Sequence, residues 1–169
     1  MGFLDRLFGR VPPRETSALY NAVVERARQP HWYVEGGVAD TIDGRFDMIA
    51  AVLSMVLLRL EADPQGTAPG ASLAECFIDD MDGQLRQIGF GDIVIGKHVG
   101  RMMGMLGGRL GAYREGVKEG DLKPALIRNL YRGEDPGSAP AGHVEQRLMA
   151  LREALAATEL DSLLAGNLP

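Results

Sequence analysis

From Met48 to Leu58 the chain reads Met-Ile-Ala-Ala-Val-Leu-Ser-Met-Val-Leu-Leu, with Ser54 as its one polar residue. Extended to a helix over about Thr41 to Glu61, the segment puts Phe46, Ile49, Leu53, Val56, Leu57 and Leu60 on one face. Met48, Val52, Met55 and Leu58 cover much of the remainder. A helix that is apolar all round must be buried or must wait for a partner. It falls short of the roughly 18 to 20 uninterrupted apolar residues that a membrane span requires, and no other stretch comes closer. With 169 residues, 46% of them hydrophobic, the chain is long enough to bury such a helix in one domain with a real core.

Elsewhere apolar residues recur at spacings of three and four, and no long segment alternates with period two, which predicts an all-α fold. About six helices are expected, packed as a single compact domain. The first runs over about Arg14–Arg28 and stops before Gln29-Pro30, because the residue preceding a proline is pushed out of the helical region. A loop with His31, Trp32 and Tyr33 leads to the Thr41–Glu61 helix, which ends at the turn-rich stretch from Asp63 to Gly70. Ser72 with Glu75 reads as a capping box for a helix with core face Phe77, Ile78, Met81, Leu85 and Ile88, closed by Gly89. Asp92 caps a long helix to about Val117, and these two helices are expected to form a central antiparallel hairpin. A shorter helix follows over Asp121–Tyr131, with Pro124 tolerated in its first turn. The expected division is an N-terminal segment at 1–12, a helical core at 13–132, a Pro/Gly-rich connector at 133–142, and a final helix within 143–169 that carries Val144, Leu148, Leu151 and Leu155 and packs on the same domain.

Immediately before the apolar run stands Asp40-Thr41-Ile42-Asp43-Gly44-Arg45-Phe46-Asp47, with four ionic side chains. Capping accounts for part of it: Asp40 or Thr41 can accept from free N–H groups of the first turn, and Asp43 lies near the positive end of the helix. Gly44 and Arg45 are not needed by a cap. On the long helix Gly96, Gly100, Gly104 and Gly108 form a strip without side chains, at about 1 kcal/mol of helix propensity each. Close packing inside the domain is the simpler reading, and a groove for a partner's helix the other. Met102, Met103 and Met105 beside the strip suit core filling, or a surface that adapts to varied apolar shapes.

Several functions find no support. A net charge of −5 argues against nucleic acid as a partner. Cys76 is the one cysteine, which excludes an internal disulfide or a multi-cysteine metal site, and its place between Leu73 and Phe77 suits a small buried side chain. Asp79, Asp80 and Asp82 invite a metal, but a helix turns Asp80 about 100° away from the other two, and Asp82 is better placed to pair with Arg86 one turn on. His31, His98 and His143 show no ligand spacing, and Gly89-Phe90-Gly91 follows a helix, not the strand that a phosphate loop needs. No cofactor, no metal and no catalytic set is expected. Phe3, Leu4, Leu7 and Phe8 with Arg6 and Arg10 make a short amphipathic segment suited to weak contact with a membrane surface.

The ordered motifs resemble the ubiquinol-cytochrome c chaperone family. The matching stretches are Ala27-Arg28-Gln29-Pro30 with Tyr33, the octet Asp40–Asp47, Asp80-Met81-Asp82, Leu85-Arg86-Gln87-Ile88-Gly89-Phe90-Gly91-Asp92, and Gly96-Lys97. Gly108-Arg109-Leu110 with Tyr113 and Arg128-Asn129-Leu130-Tyr131 also fit, so the resemblance covers about residues 17–132. Gln87 stands where the family has an acidic residue, and Gly100 and Gly104 exceed its usual pattern.

The resemblance implies a non-enzymatic assembly chaperone whose client is newly made cytochrome b of respiratory complex III, with the ribosome or a second assembly factor as further partners. A start close to the domain favours a bacterial member, acting in the cytoplasm at the inner membrane. A holder of membrane helices needs an adaptable apolar surface with a charged rim. The Met48–Leu58 helix and the Met-rich helix, with Met102 and Met105, are candidates for the first. Asp40, Asp43, Arg45, Asp80, Asp82, Arg86, Asp92 and Lys97, together with Thr41 and Gly44 of the octet, are candidates for the second. A peripheral helical adaptor with no cytochrome client is the alternative.

Overall fold

Burying the apolar run orders the architecture. The computed structural model describes residues 15–87 and 92–169, except for the side chains at 85, 92–99 and 102. Its elements are α1 (Ser17–Ala27), α2 (His31–Val34), α3 (Ile42–Glu61), α4 (Thr67–Gln87), α5 (Asp92–Glu119), α6 (Lys123–Asn129), α7 (Ser138–Ala156) and α8 (Leu160–Leu164). All regular structure among the described residues is helical, in one compact domain. The N-terminal segment with Phe3, Leu4, Leu7 and Phe8, and the turn Gly89-Phe90-Gly91, lie outside the described residues.

α3 is the axis. Every residue from Asp47 to Leu58 is buried, because α1, α4, α5 and α7 surround the helix. Each neighbour contributes one stripe at helical spacing: Leu19, Tyr20, Val23 and Ala27 from α1, and Ala141, Val144, Leu148, Leu151 and Leu155 from α7. The apolar circumference of α3 is therefore spent inside the domain and offers nothing to a client. At its far end Arg59 donates to the carbonyls of Leu155 (2.9 Å) and Thr158 (3.0 Å), which ties α3 to the last turn of α7. The C-terminal residues close over α1: Leu163 is buried, and the Arg26 guanidinium donates to the Pro169 carbonyl.

Three boundaries differ from the sequence expectation. α4 starts at Thr67, not at Ser72, and α7 at Ser138, inside the stretch read as a connector. In both, proline is the third helical residue (Pro69, Pro140), where its missing N–H has no intrahelical partner to lose. Ser72 consequently lies within α4, and its Oγ meets Thr16 Oγ1 at 2.8 Å. The segment His31–Val34, expected as loop, closes into the single turn α2. Its aromatics serve the orphan carbonyls at the end of α1: Trp32 Nε1 donates to Arg26 O at 2.7 Å, and Tyr33 Oη to Ala27 O at 2.8 Å.

α4 and α5 pack together as an antiparallel hairpin, with Gly70 and Ala74 of early α4 facing Leu106 and Leu110 of later α5. The second half of α5 also docks on α3, through Leu106, Arg109 and Tyr113. No described helix is long and apolar enough to cross a membrane.

α2 is latched to α7 by two imidazoles, His31 Nδ1 and His143 Nε2, 3.0 Å apart. Burial, then the neighbouring His143 and Arg147, hold His31 below its ordinary 6.5. A histidine lowered in this way contributes stability that is present above about 6.5 and is lost as pH falls through the folded-state value. Thermal unfolding followed between pH 7.5 and about 5 should thus show a fall in Tm on acidification that His31→Gln largely flattens. Equal pH dependence in the two proteins would remove this role.

Candidate functional site

The octet folds as a cap, a sharp turn and two layers of charge. Thr41 has extended backbone and its Oγ1 accepts from the Gly44 N–H at 3.1 Å, so Thr41 rather than Asp40 caps α3. Gly44 is required by close approach: a Cβ there would run into the carbonyl oxygen of Ala39, where the chain doubles back ahead of the cap. In the outer layer Arg45 Nε donates to Asp40 Oδ1 at 2.7 Å, with both side chains more than half exposed. Solvent screens such an exposed pair, so it adds little to the stability of the fold. Beside it opens a pocket of about 550 Å³ bordered by Arg28, Tyr33 and Val34. Val34 and Ile42, 77% and 72% exposed, are the barest large hydrophobic residues among those described.

The inner layer is built on Asp47, whose side chain is fully buried. Arg132 Nε donates to Asp47 Oδ2 at 2.7 Å, and Arg109 Nη2 approaches Oδ1 at 2.7 Å. The second contact is a close charge pair, and Asp47 Oδ1 and Arg109 Nη1 are buried with no further hydrogen-bond partner. The Arg109 guanidinium carbon lies 5.0 Å from the Phe46 ring centroid, and Phe46 in turn meets Phe77 at 5.3 Å. Arg132 Nη1 reaches outward to Asp43 at 3.1 Å. Burial pushes the Asp47 carboxyl above its ordinary value, against the opposing pull of Arg132 and Arg109. Tyr113 and Tyr131 close the inner side. Burial raises both phenols, Tyr131 to about 12, and Tyr131 Oη donates to Gly36 O at 2.6 Å.

The second set of expected residues lies apart from the first. Asp80 accepts from Tyr20 Oη at 2.6 Å and from Gln84 at 3.3 Å, a tie between α1 and α4. Asp82 accepts from Arg86 Nε at 3.0 Å, the pairing that the one-turn spacing predicts. Among the described residues no hydrogen bond joins either aspartate to the octet. The side chains of Asp92, Lys97 and Met102 lie outside the described residues, and Met105 is 39% exposed.

Among the described residues a Cβ at Gly100, Gly104 or Gly108 would meet nothing within 4 Å, so these three glycines are not packed against the described part of the domain, and Gly96 lies outside it. Met103 is also exposed, so among the described members the methionine group sits at the surface and does not fill the core. Between α3, α4 and α5 an apolar groove of about 400 Å³ runs past Leu57, Ala74, Met103 and Leu110.

An all-helical domain with a charged lock at one end of its central helix and an uncovered helix face beside it is thereby defined. The chain belongs to the ubiquinol-cytochrome C chaperone family, whose model matches residues 34–168. That span reaches past the motifs, which end near residue 132, and takes in α7 and α8. Among solved structures it is similar to the Cbp3 homolog from Brucella abortus, with 28% identity and a TM-score of 0.80 over 98% of this chain and 93% of that one. No curated protein matches the chain.

Sequence reasoning missed Asp47, Arg109 and Arg132 as a unit. The signal was present: Asp47 falls on the buried stretch of α3, and Arg109 stands between Leu106 and Tyr113 in an apolar register. A charge at a core position asks for a counter-charge. Removing one guanidinium leaves the carboxylate under-compensated, so Arg109→Met should cost about 3 to 5 kcal/mol in urea unfolding at pH 7. Because the folded-state pKa of Asp47 lies above the unfolded one, the ionisation penalty is absent below the ordinary value of 3.8 and grows as pH rises through the folded value. Adding Asp47→Asn to Arg109→Met should then recover part of the loss at pH 7. Strict additivity of the two changes would sink the coupling.

Proposed function

We propose that the chain is a non-enzymatic assembly chaperone that holds newly made cytochrome b while ubiquinol-cytochrome c reductase is put together, at the inner face of a bacterial membrane. The family match over residues 34–168 supports the class of role. The observation that carries the holding function is the bare face of α5, where Gly100, Gly104 and Gly108 leave room for close approach and Met103 and Met105 stand exposed. Apolar helices of a membrane protein not yet inserted find there a shallow, adaptable surface without competing side chains.

The charged rim divides by occupation. Thr41 and Gly44 are committed to the start of α3, and Asp80 to Tyr20. Asp40, Asp43, Arg45, Asp82 and Arg86 are the rim members that keep an exposed or half-exposed side chain, with Asp92, Lys97 and Met102 as further contacts. Surface ion pairs of this kind open at little cost, which lets a partner exchange into them. The ribosome and a second assembly factor remain partners of this reading.

Deleting the gene and recording reduced-minus-oxidised spectra of the membranes should show a loss of b-type haem together with complex III. Unchanged b-haem overturns the reading. A finer outcome concerns Arg45→Glu, which breaks an exposed pair: capture of the client should weaken while the thermal unfolding midpoint stays nearly unchanged. A collapse of stability would instead assign Arg45 to structure.

A further inference from the structure

Behind the Asp47 lock, on the outer side of α6, lies a pocket of about 600 Å³ in which three guanidiniums, Arg109, Arg128 and Arg132, meet an apolar wall of Met105, Pro124 and Ile127. In a chain of net charge −5 this is an unusual concentration of positive charge. The three arginines differ in what they have left to give. Arg109 is 8% exposed, spends Nη2 on Asp47, and keeps Nη1 without a hydrogen-bond partner. Arg132 spends Nε on Asp47 and Nη1 on Asp43, and half of its side chain stays exposed. Arg128 is exposed and forms no ion pair among the described residues. Two carboxylates therefore face three cations.

The backbone holds this arrangement under strain. Arg132 has φ 55°, and no other non-glycine residue among those described adopts a positive φ. The left-handed conformation costs an L-residue about 1 to 2 kcal/mol. It is retained where Gly133 follows and the side chain is fixed to Asp47.

We propose that this pocket is a docking site for a protein segment that presents a carboxylate next to an aliphatic or aromatic side chain. Arg109 and Arg132 spend fork nitrogens on Asp47 and Asp43, so the exposed Arg128 supplies the open fork for an incoming carboxylate, and the other two guanidiniums add positive charge beside it. The wall of Met105, Pro124 and Ile127 receives the neighbouring apolar group. A protein segment fits better than a lipid headgroup because the guanidiniums stand directly against the apolar wall, which calls for a carboxylate with an apolar side chain next to it. The inference rests on the chaperone reading in taking the occupant to be a protein, but not on which protein that is.

The test uses the full chain, isotopically labelled and followed through its arginine Nε–H signals. The probes are a short peptide with one glutamate between two leucines, the same peptide with glutamine, inorganic phosphate, and phosphatidylglycerol vesicles. The glutamate peptide should shift the Arg128 and Arg132 signals and the glutamine peptide should not. Arg128→Gln should weaken binding by about tenfold or more, as loss of a charge-assisted contact requires, and Arg128→Lys by less. Arg28→Gln, outside the pocket, should leave binding unchanged. Equal binding of both peptides, undiminished binding to Arg128→Gln, vesicle or phosphate binding in place of the peptide, or no shift at all overturns the proposal. Peptide binding that persists when deletion leaves b-haem unchanged would keep this site and discard the client.

Discussion

The fold turns on one carboxylate taken out of water. Asp47 sits on the central helix at the point where its polar start becomes its apolar body, and it is reached by Arg109 from α5 and by Arg132 from the turn after α6. Hydrophobic burial pulls α3 inward but is indifferent to its rotation, since apolar residues cover nearly its whole circumference. A buried charge is not indifferent, because its desolvation is tolerable in only one register against its partners. The Asp47 cluster thus does for α3 what the apolar residues cannot: it fixes which side of the helix faces α5. Phe46, held between the Arg109 guanidinium and Phe77, repeats that choice one residue earlier.

With α3 fully enclosed, the apolar surface that the domain still shows comes from elsewhere. It comes from α5, whose later half packs on α3 through Leu106, Arg109 and Tyr113 while, among the described residues, Gly100, Gly104, Gly108, Met103 and Met105 are left bare. A glycine row in a soluble helix reduces helix propensity and buries no side chain. Its persistence in an element that is otherwise well anchored at one end is consistent with a surface kept low for something that approaches closely.

The helical class, the hairpin and a cap at Asp40 or Thr41 are legible in the sequence, because periodicity and hydrogen-bonding side chains are local properties, and the choice of Thr41 comes from the structure. The Asp82–Arg86 pair is legible for the same reason. Gly44 was visible as an excess but not explicable, since the Ala39 carbonyl that excludes a side chain there is placed by a turn of the chain and not by helix spacing. The starts of α4 and α7 were misplaced because Pro and Gly read as loop, although proline three residues into a helix breaks no bond. The spacing of the glycine strip is compatible with packing within the domain or with a partner's helix, because what lies opposite a helix face is a matter of tertiary arrangement that spacing does not encode. Asp47 was passed over for a different reason. As the last member of a polar octet it resembles part of a solvated cap, yet it lies one turn deeper on the same face as Asp43, where the helix has already entered the core.

Arg132 brings these strands together. Its Nε is bound to a buried carboxylate and its Nη1 to an exposed one, so a single side chain spans the protein's interior and its surface. A group that competes for the outer nitrogens would meet the same guanidinium that compensates Asp47. Coupling of this kind needs no moving domain. It requires a buried charge whose compensation is shared with solvent, and a residue whose backbone conformation is held by that sharing. The open face of α5 begins at Met105, one turn from Arg109. Met105 is exposed on α5 and also lines the arginine pocket, so the proposed charged site and apolar face are neighbours, with Arg109 between them and the core.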